Sequence, residues 1–197
     1  MRKKWNFLKN IEWWLLLGIL CAMTAAIPGI ISSLSTDFSD TIYGVVDWLA
    51  ASVVYFFLGA FFGHLVDWFV KRKQKISHPD WFWYTLAFWL TGIVLSFLFV
   101  AKASTYFAEF LFLPFVYGIF FPAVAYMMLF PGFMRSGLYA KLVLDAIYLA
   151  GFLGWLWLTL TRETTTRKLI RRILLFAVFA MLFIGMAGCV RQLAAIP

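Results

Sequence analysis

The chain has 197 residues, of which 64% are hydrophobic and only 13% charged, with a mean hydropathy of +0.89. A soluble domain carries roughly a quarter charged residues, so this composition excludes an ordinary water-soluble globule and points to a membrane protein. The net charge of +8 comes from 17 Lys and Arg against nine Asp and Glu, and that excess is unevenly placed.

Six apolar segments follow one another: 13 to 33, 43 to 70, 82 to 101, 110 to 130, 138 to 158 and 173 to 193. Each matches the roughly 20 residues an α-helix needs to cross a hydrocarbon core about 30 Å thick. The runs are continuous rather than alternating in stretches of about ten, which sets aside a β-barrel. The expected fold is all-α: a polytopic integral membrane helical bundle of five to six transmembrane segments, forming a single membrane domain over residues 1–197.

The first segment follows "MRKK" and ends in small residues, as a secretory signal does. Its apolar stretch from Trp13 to Ile31 is longer than a signal core, and Pro28 sits just past the best cleavage point, so it reads as a retained signal-anchor helix.

The second segment carries Asp47-Trp48 near one end and Asp67-Trp68 near the other. Twenty residues of helix rise about 30 Å, so the two pairs fall at opposite water interfaces, where tryptophan anchors well. His64, Asp67 and Lys71 share one side of this helix, which leaves an Asp/His site as the alternative to simple anchoring. Gly59 and Gly63 have the small-xxx-small spacing that permits close helix packing.

Between the second and third segments stands "KRKQK", with Lys71, Arg72, Lys73 and Lys75. The following "SHPDW" reads as punctuation, with Ser77 capping the third helix and Asp80 closing a capping box. His64 and His78 lack the spacing of a helical metal pair, and Cys21 and Cys189 lie in different apolar segments. No grouping of nucleophile, base or metal ligands stands out, so neither catalysis nor a cofactor is expected.

The fourth segment is interrupted by Pro114 and Pro122, and each proline removes a backbone donor. Basic residues gather in three places: four among the first nine residues, four at 71 to 75, and five at 161 to 172. Positive charge collects on the cytoplasmic side, yet three apolar segments between the second and third clusters would place the third outside. A re-entrant fourth segment removes the conflict, so the charges favour five crossings over six.

The fifth segment holds Asp145 seven residues from its start, with Lys141 one turn earlier. A charge at such depth demands compensation. The choices are an intrahelical pair with Lys141, a partner on another helix, an ion path or a subunit contact. Ala146, Ala150 and Gly154 repeat the small-xxx-small spacing. In "RKLIRRIL", Arg167, Lys168, Arg171 and Arg172 take one side of a helical turn and apolar residues the other, a basic amphipathic lead into the last crossing.

The expected function is that of a non-enzymatic membrane subunit, oligomeric, in a bacterial inner membrane with its N-terminus cytoplasmic. Its basic face would recruit anionic lipid or a cytosolic protein partner, as in bacterial secretion, immunity or phage-defence operons. Nucleic acid is the least expected partner because no folded reader module is present. The alternative is a small channel or transporter using Asp145 and Lys141.

Overall fold

The computed structural model describes residues 12–35, 37–71, 77–100 and 138–194, with the side chains of 38, 39, 95–100, 138 and 189–194 excepted. These residues form five helices: α1 (Trp13–Ser33), α2 (Phe38–Val70), α3 (Asp80–Val100), α4 (Leu138–Leu160) and α5 (Thr165–Ala194). No strand occurs among them. Four helical stretches are long and apolar enough to cross a membrane: Trp13–Ser33, Asp40–Val70, Tyr139–Leu160 and Thr165–Gly188. The proline-containing segment 110 to 130 lies outside the described residues.

Two helices begin earlier than hydropathy suggests, for local reasons. α2 starts at Phe38 because Asp37 serves as N-cap in an extended conformation, its carbonyl accepting from the Thr41 amide at 2.8 Å, while Asp40 in the first turn complements the helix dipole. α5 starts at Thr165 because the Thr164 hydroxyl accepts from the Arg167 amide at 3.3 Å, the N-cap to N3 bond, so the basic turn belongs to the same helix as the last apolar segment.

α1 and α2 form a tight antiparallel hairpin. In lipid, apolar side chains gain little from leaving their surroundings, so helices associate through close packing, and small residues permit it. A Cβ on Gly63 would overlap the backbone of Trp13 and Trp14, and one on Gly59 would strike the Leu17 carbonyl and Cys21. Farther along the seam, Gly29 accepts the Trp48 ring and Gly44 the Ser33 hydroxymethyl group. Gly59 and Gly63 therefore face α1.

The other helices assemble beside this hairpin around an aromatic core, in which Phe56 also meets Gly18 and Trp14 of α1. Phe57 stands 5.1 Å from Trp155 and 4.8 Å from Phe179 between ring centroids, and Phe56 stands 5.1 Å from Phe152. Most of these pairs are tilted or edge-on, the favoured arrangement for aromatic quadrupoles. α3 and α5 run parallel, since Asp80, Tyr84 and Phe88 meet Arg172, Phe179 and Phe183 in that order. α2 and α4 also run parallel, with Tyr43 on Tyr139 at one end and Phe57 on Trp155 farther along.

Direction then fixes which termini share an end of the bundle. The starts of α1, α3 and α5 and the ends of α2 and α4 lie together, tied by Trp14 on Trp81 at 5.5 Å, His64 to His78 at 2.8 Å and Arg172 to Asp80 at 2.9 Å. This is the basic end. The starts of α2 and α4 meet at the far end.

Candidate functional site

The basic end is built by three pieces of chain: the last turns of α2, the connection into α3, and the α4–α5 turn. On α2, His64, Asp67 and Lys71 recur on one face, and Asp67 is buried with its carboxylate 2.7 Å from the Lys71 ammonium. Desolvation of that acid is offset by a cation one turn away. His64 is also buried, and one ring nitrogen lies 2.8 Å from His78 Nδ1, so one imidazole donates and the other accepts. His78 stacks on Phe82 at 4.9 Å, and His64 meets the edge of Trp81 at 5.6 Å.

"SHPDW" thus does more than punctuate. Its histidine reaches back to α2, and the helix begins at Asp80, whose carboxylate accepts from Arg172 Nε at 2.9 Å on α5. Ser77 is exposed and stands three residues before the helix, and Asp80 is the helix's first residue, so the expected capping box of Ser77 and Asp80 does not match these bounds.

The α4–α5 turn gathers the third basic cluster. Glu163 accepts from Arg171 and lies 3.0 Å from Lys168 Nζ; the bonds from Lys168 and then Arg171 hold its carboxyl below the usual carboxylate range. Arg167 places its guanidinium over the Trp157 ring, 5.5 Å from the centroid. The first turn of α5 contains no acid of its own. Cations at a helix N-terminus oppose the macrodipole, and Glu163 and Asp80 supply the compensation from neighbouring pieces of chain.

Between these elements lies a half-open cleft of about 280 Å3, just under the usual range for ligand sites. Asp80, Glu163, Arg171 and Arg172 line it with Trp81 and Trp155. Of the residues singled out in the sequence, Arg171 and Arg172 line the cleft, Lys168 braces its Glu163 and Lys71 covers Asp67. Arg72, Lys73 and Lys75 lie outside the described residues. The sequence offers His64 with Asp67 as an alternative site but gives no sign of Asp80 or Glu163 as site residues or of the pairing of His64 with His78; the signal is the pairing of isolated acids with the flanking arginines, which only tertiary structure connects.

The intramembrane pair is arranged differently from the simplest expectation. The Lys141 ammonium bonds the Asp47 carboxylate across to α2, each side chain about a third exposed, while Asp145 is 1% exposed and packed inside the bundle beside the buried Tyr148. Lys141 is thus a partner of another helix. Of the small stripe on α4, Ala146 and Ala150 face outward from the chain, and a Cβ on Gly154 would meet Leu174 at an ordinary 3.6 Å.

Among the described residues, no three His, Cys, Asp or Glu side chains converge to hold a metal ion. The two imidazoles are bonded to each other rather than presented jointly to a ligand. What the basic end offers chemically is ion recognition, through guanidinium forks and carboxylates side by side. Compared with family models, curated proteins and solved structures, the chain matches none.

Proposed function

We propose that the protein is a non-enzymatic multi-pass membrane subunit whose basic end meets the cytoplasmic leaflet, where it holds anionic lipid and presents a docking surface to an acidic cytosolic partner. The observation that carries this reading is the convergence of the charged turns. Lys71 ends α2 beside the start of α3, and Arg167, Lys168, Arg171 and Arg172 open α5 at the same end. Each basic residue near an anionic surface contributes about 1 kcal/mol, so a cluster of this size gives substantial attraction.

The same directions support five net crossings. α3 leaves the basic end and α4 returns to it, so the last described residue of α3 and the first of α4 lie on the far side, which is compatible with the re-entrant reading of the sequence. The three basic clusters then share one compartment, as the positive-inside rule requires. An oligomeric assembly within a bacterial inner membrane completes the proposal. The transport alternative is less favoured by the geometry, because Lys141 engages Asp47 rather than forming an ion path together with Asp145.

The test is a cysteine at the exposed position Thr165, in a background with Cys21 and Cys189 replaced by serine. A membrane-impermeant thiol reagent should label it only after cells are lysed. Labelling in intact cells would overturn the cytoplasmic assignment of the basic end.

A further inference from the structure

Two cavities share the Asp80–Arg172 pair. The charged cleft of about 280 Å3 has Asp80 and Arg172 at its edge. A wider hollow of about 600 Å3 uses the same two residues and continues along the first turns of α3 over Trp83, Tyr84 and Ala87. Trp83 is 54% exposed and faces outward. A charged recess therefore opens directly beside an apolar groove, at the level where α3 enters its apolar run.

The charges lining the recess are balanced: two guanidiniums, on Arg171 and Arg172, and two carboxylates, on Asp80 and Glu163. A purely anionic head would sit against both acids, and a purely cationic one against both arginines. A head carrying both signs a few atoms apart sets its phosphate against the arginines and its ammonium against the acids, with Asp80 the main acceptor because Glu163 already holds Lys168 and Arg171. Among the described residues, the hydrogen bond of the Arg172 guanidinium is to Asp80, through Nε, so its Nη donors are available to a ligand's acceptors. The carboxylates, in turn, accept hydrogen bonds, which a primary ammonium can supply three at a time and a quaternary one cannot.

The geometry points to a binding site for a zwitterionic glycerophospholipid with a primary ammonium head. Its phosphate lies on Arg171 and Arg172, its ammonium on Asp80 and Glu163, and one acyl chain runs along the Trp83–Tyr84 groove. The inference rests on the reading that this end meets a membrane surface, and it differs from general attraction to anionic lipid in requiring the two acids.

The full-length protein, reconstituted in bilayers of equal parts phosphatidylethanolamine and phosphatidylglycerol and then extracted in mild detergent, should retain phosphatidylethanolamine in excess by native mass spectrometry. Asp80→Asn should reduce that excess about tenfold, as loss of one charge-assisted hydrogen bond to the ammonium implies. Trp83→Ala, at a position 54% exposed, should weaken retention of either lipid without altering the ratio. Phosphatidylcholine should compete poorly. Equal retention of the two lipids, an excess of phosphatidylglycerol, or an excess that survives both Asp80→Asn and Glu163→Gln would overturn the site. Equally effective competition by glycerophosphoethanolamine, which lacks acyl chains, would overturn the lipid as its occupant. Arg167→Gln separates this site from the broader reading: it should lower binding to phosphatidylglycerol vesicles and leave the ethanolamine preference intact, since Arg167 lies over Trp157 outside the cleft.

Discussion

The two ends of the bundle use their polar groups in different proportions. At the far end of the α1–α2 hairpin, hydroxyls serve the turn's own backbone: Ser33 bonds the Gly29 carbonyl at 2.9 Å, and Thr41 bonds the Ser33 carbonyl at 2.9 Å. The described ion pair there, Lys141 with Asp47, ties α4 to α2. At the basic end the charges bridge separate pieces of chain, Asp80 with Arg172 and Glu163 with Arg171 and Lys168, and a cleft lies between them. Polar groups spent on backbone close a turn; polar groups spent between side chains can be exchanged for those of a ligand. Several such pairs converge on the cleft at the basic end, which is why we propose that end for binding.

Packing, unlike charge, is continuous through both ends, and breaking it should have the largest effect. Gly63→Leu would force α1 off α2 at the basic end and carry Trp14 away from Trp81, because the new side chain meets backbone rather than a movable rotamer. Overpacking a well-filled site costs about 1–3 kcal/mol, and backbone obstruction leaves little room to relax, so the expected outcome is loss of monodisperse protein in detergent. Gly154→Ala, from the other small-residue stripe, meets only Leu174 at 3.6 Å and should be neutral or stabilising by up to about 1 kcal/mol through helix propensity. A comparable loss from both substitutions would show that the two stripes pack alike.

Those two stripes also show how far the sequence could be read. The helix extents of α1, α3 and α4 follow closely from hydropathy, because a membrane core imposes its length on any spanning helix. Small-xxx-small spacing identifies a face that permits close approach, but not what approaches it: Gly59 and Gly63 meet α1, while Ala146 and Ala150 face outward. Likewise the depth of Asp145 signalled a need for compensation, and the neighbouring Lys141 was the natural candidate on its own helix. The cation instead reaches Asp47, 94 positions away. His64 with His78 and Asp80 with Arg172 are joined only by helix direction and packing, which local periodicity does not contain. The cleft was illegible for that reason, although each of its charged residues was visible.

A smaller effect should separate the two acids available to Lys141. Replacing Lys141 with Met or Asp47 with Asn leaves the other charge without its mate, at an expected 1–2 kcal/mol for a half-exposed pair, less than the 3–5 kcal/mol typical of a fully buried one. The double variant should recover most of that loss. A double-mutant cycle from detergent unfolding should therefore give a clear coupling between Lys141 and Asp47, and a weaker one between Lys141 and Asp145→Asn. The reverse ranking would place the cation's main partner on its own helix and remove the far-end tie between α2 and α4.

The smallest expected effect lies in the pH response of the basic end. The carboxyl of Glu163 is held below its ordinary value by hydrogen bonds from Lys168 and Arg171, so its folded pKa lies below its unfolded one. The stabilisation is accordingly full at neutral pH and above the unfolded value, and it is lost as pH falls through the depressed folded value. Because Glu163 sits in water, screening keeps the contribution small, and other carboxylates titrate nearby in pH. The difference between wild type and Glu163→Gln isolates it: the variant should have the lower thermal midpoint at neutral pH, and the two curves should converge as the solution is acidified. Hydrogen exchange of residues 161 to 172 should follow the same course, with faster exchange on acidification, beyond the intrinsic pH dependence, in the wild type alone. A constant gap between the two proteins across that range would mean that Glu163 braces the turn through packing rather than charge, and the contrast between the ends would then rest on the Asp80–Arg172 pair.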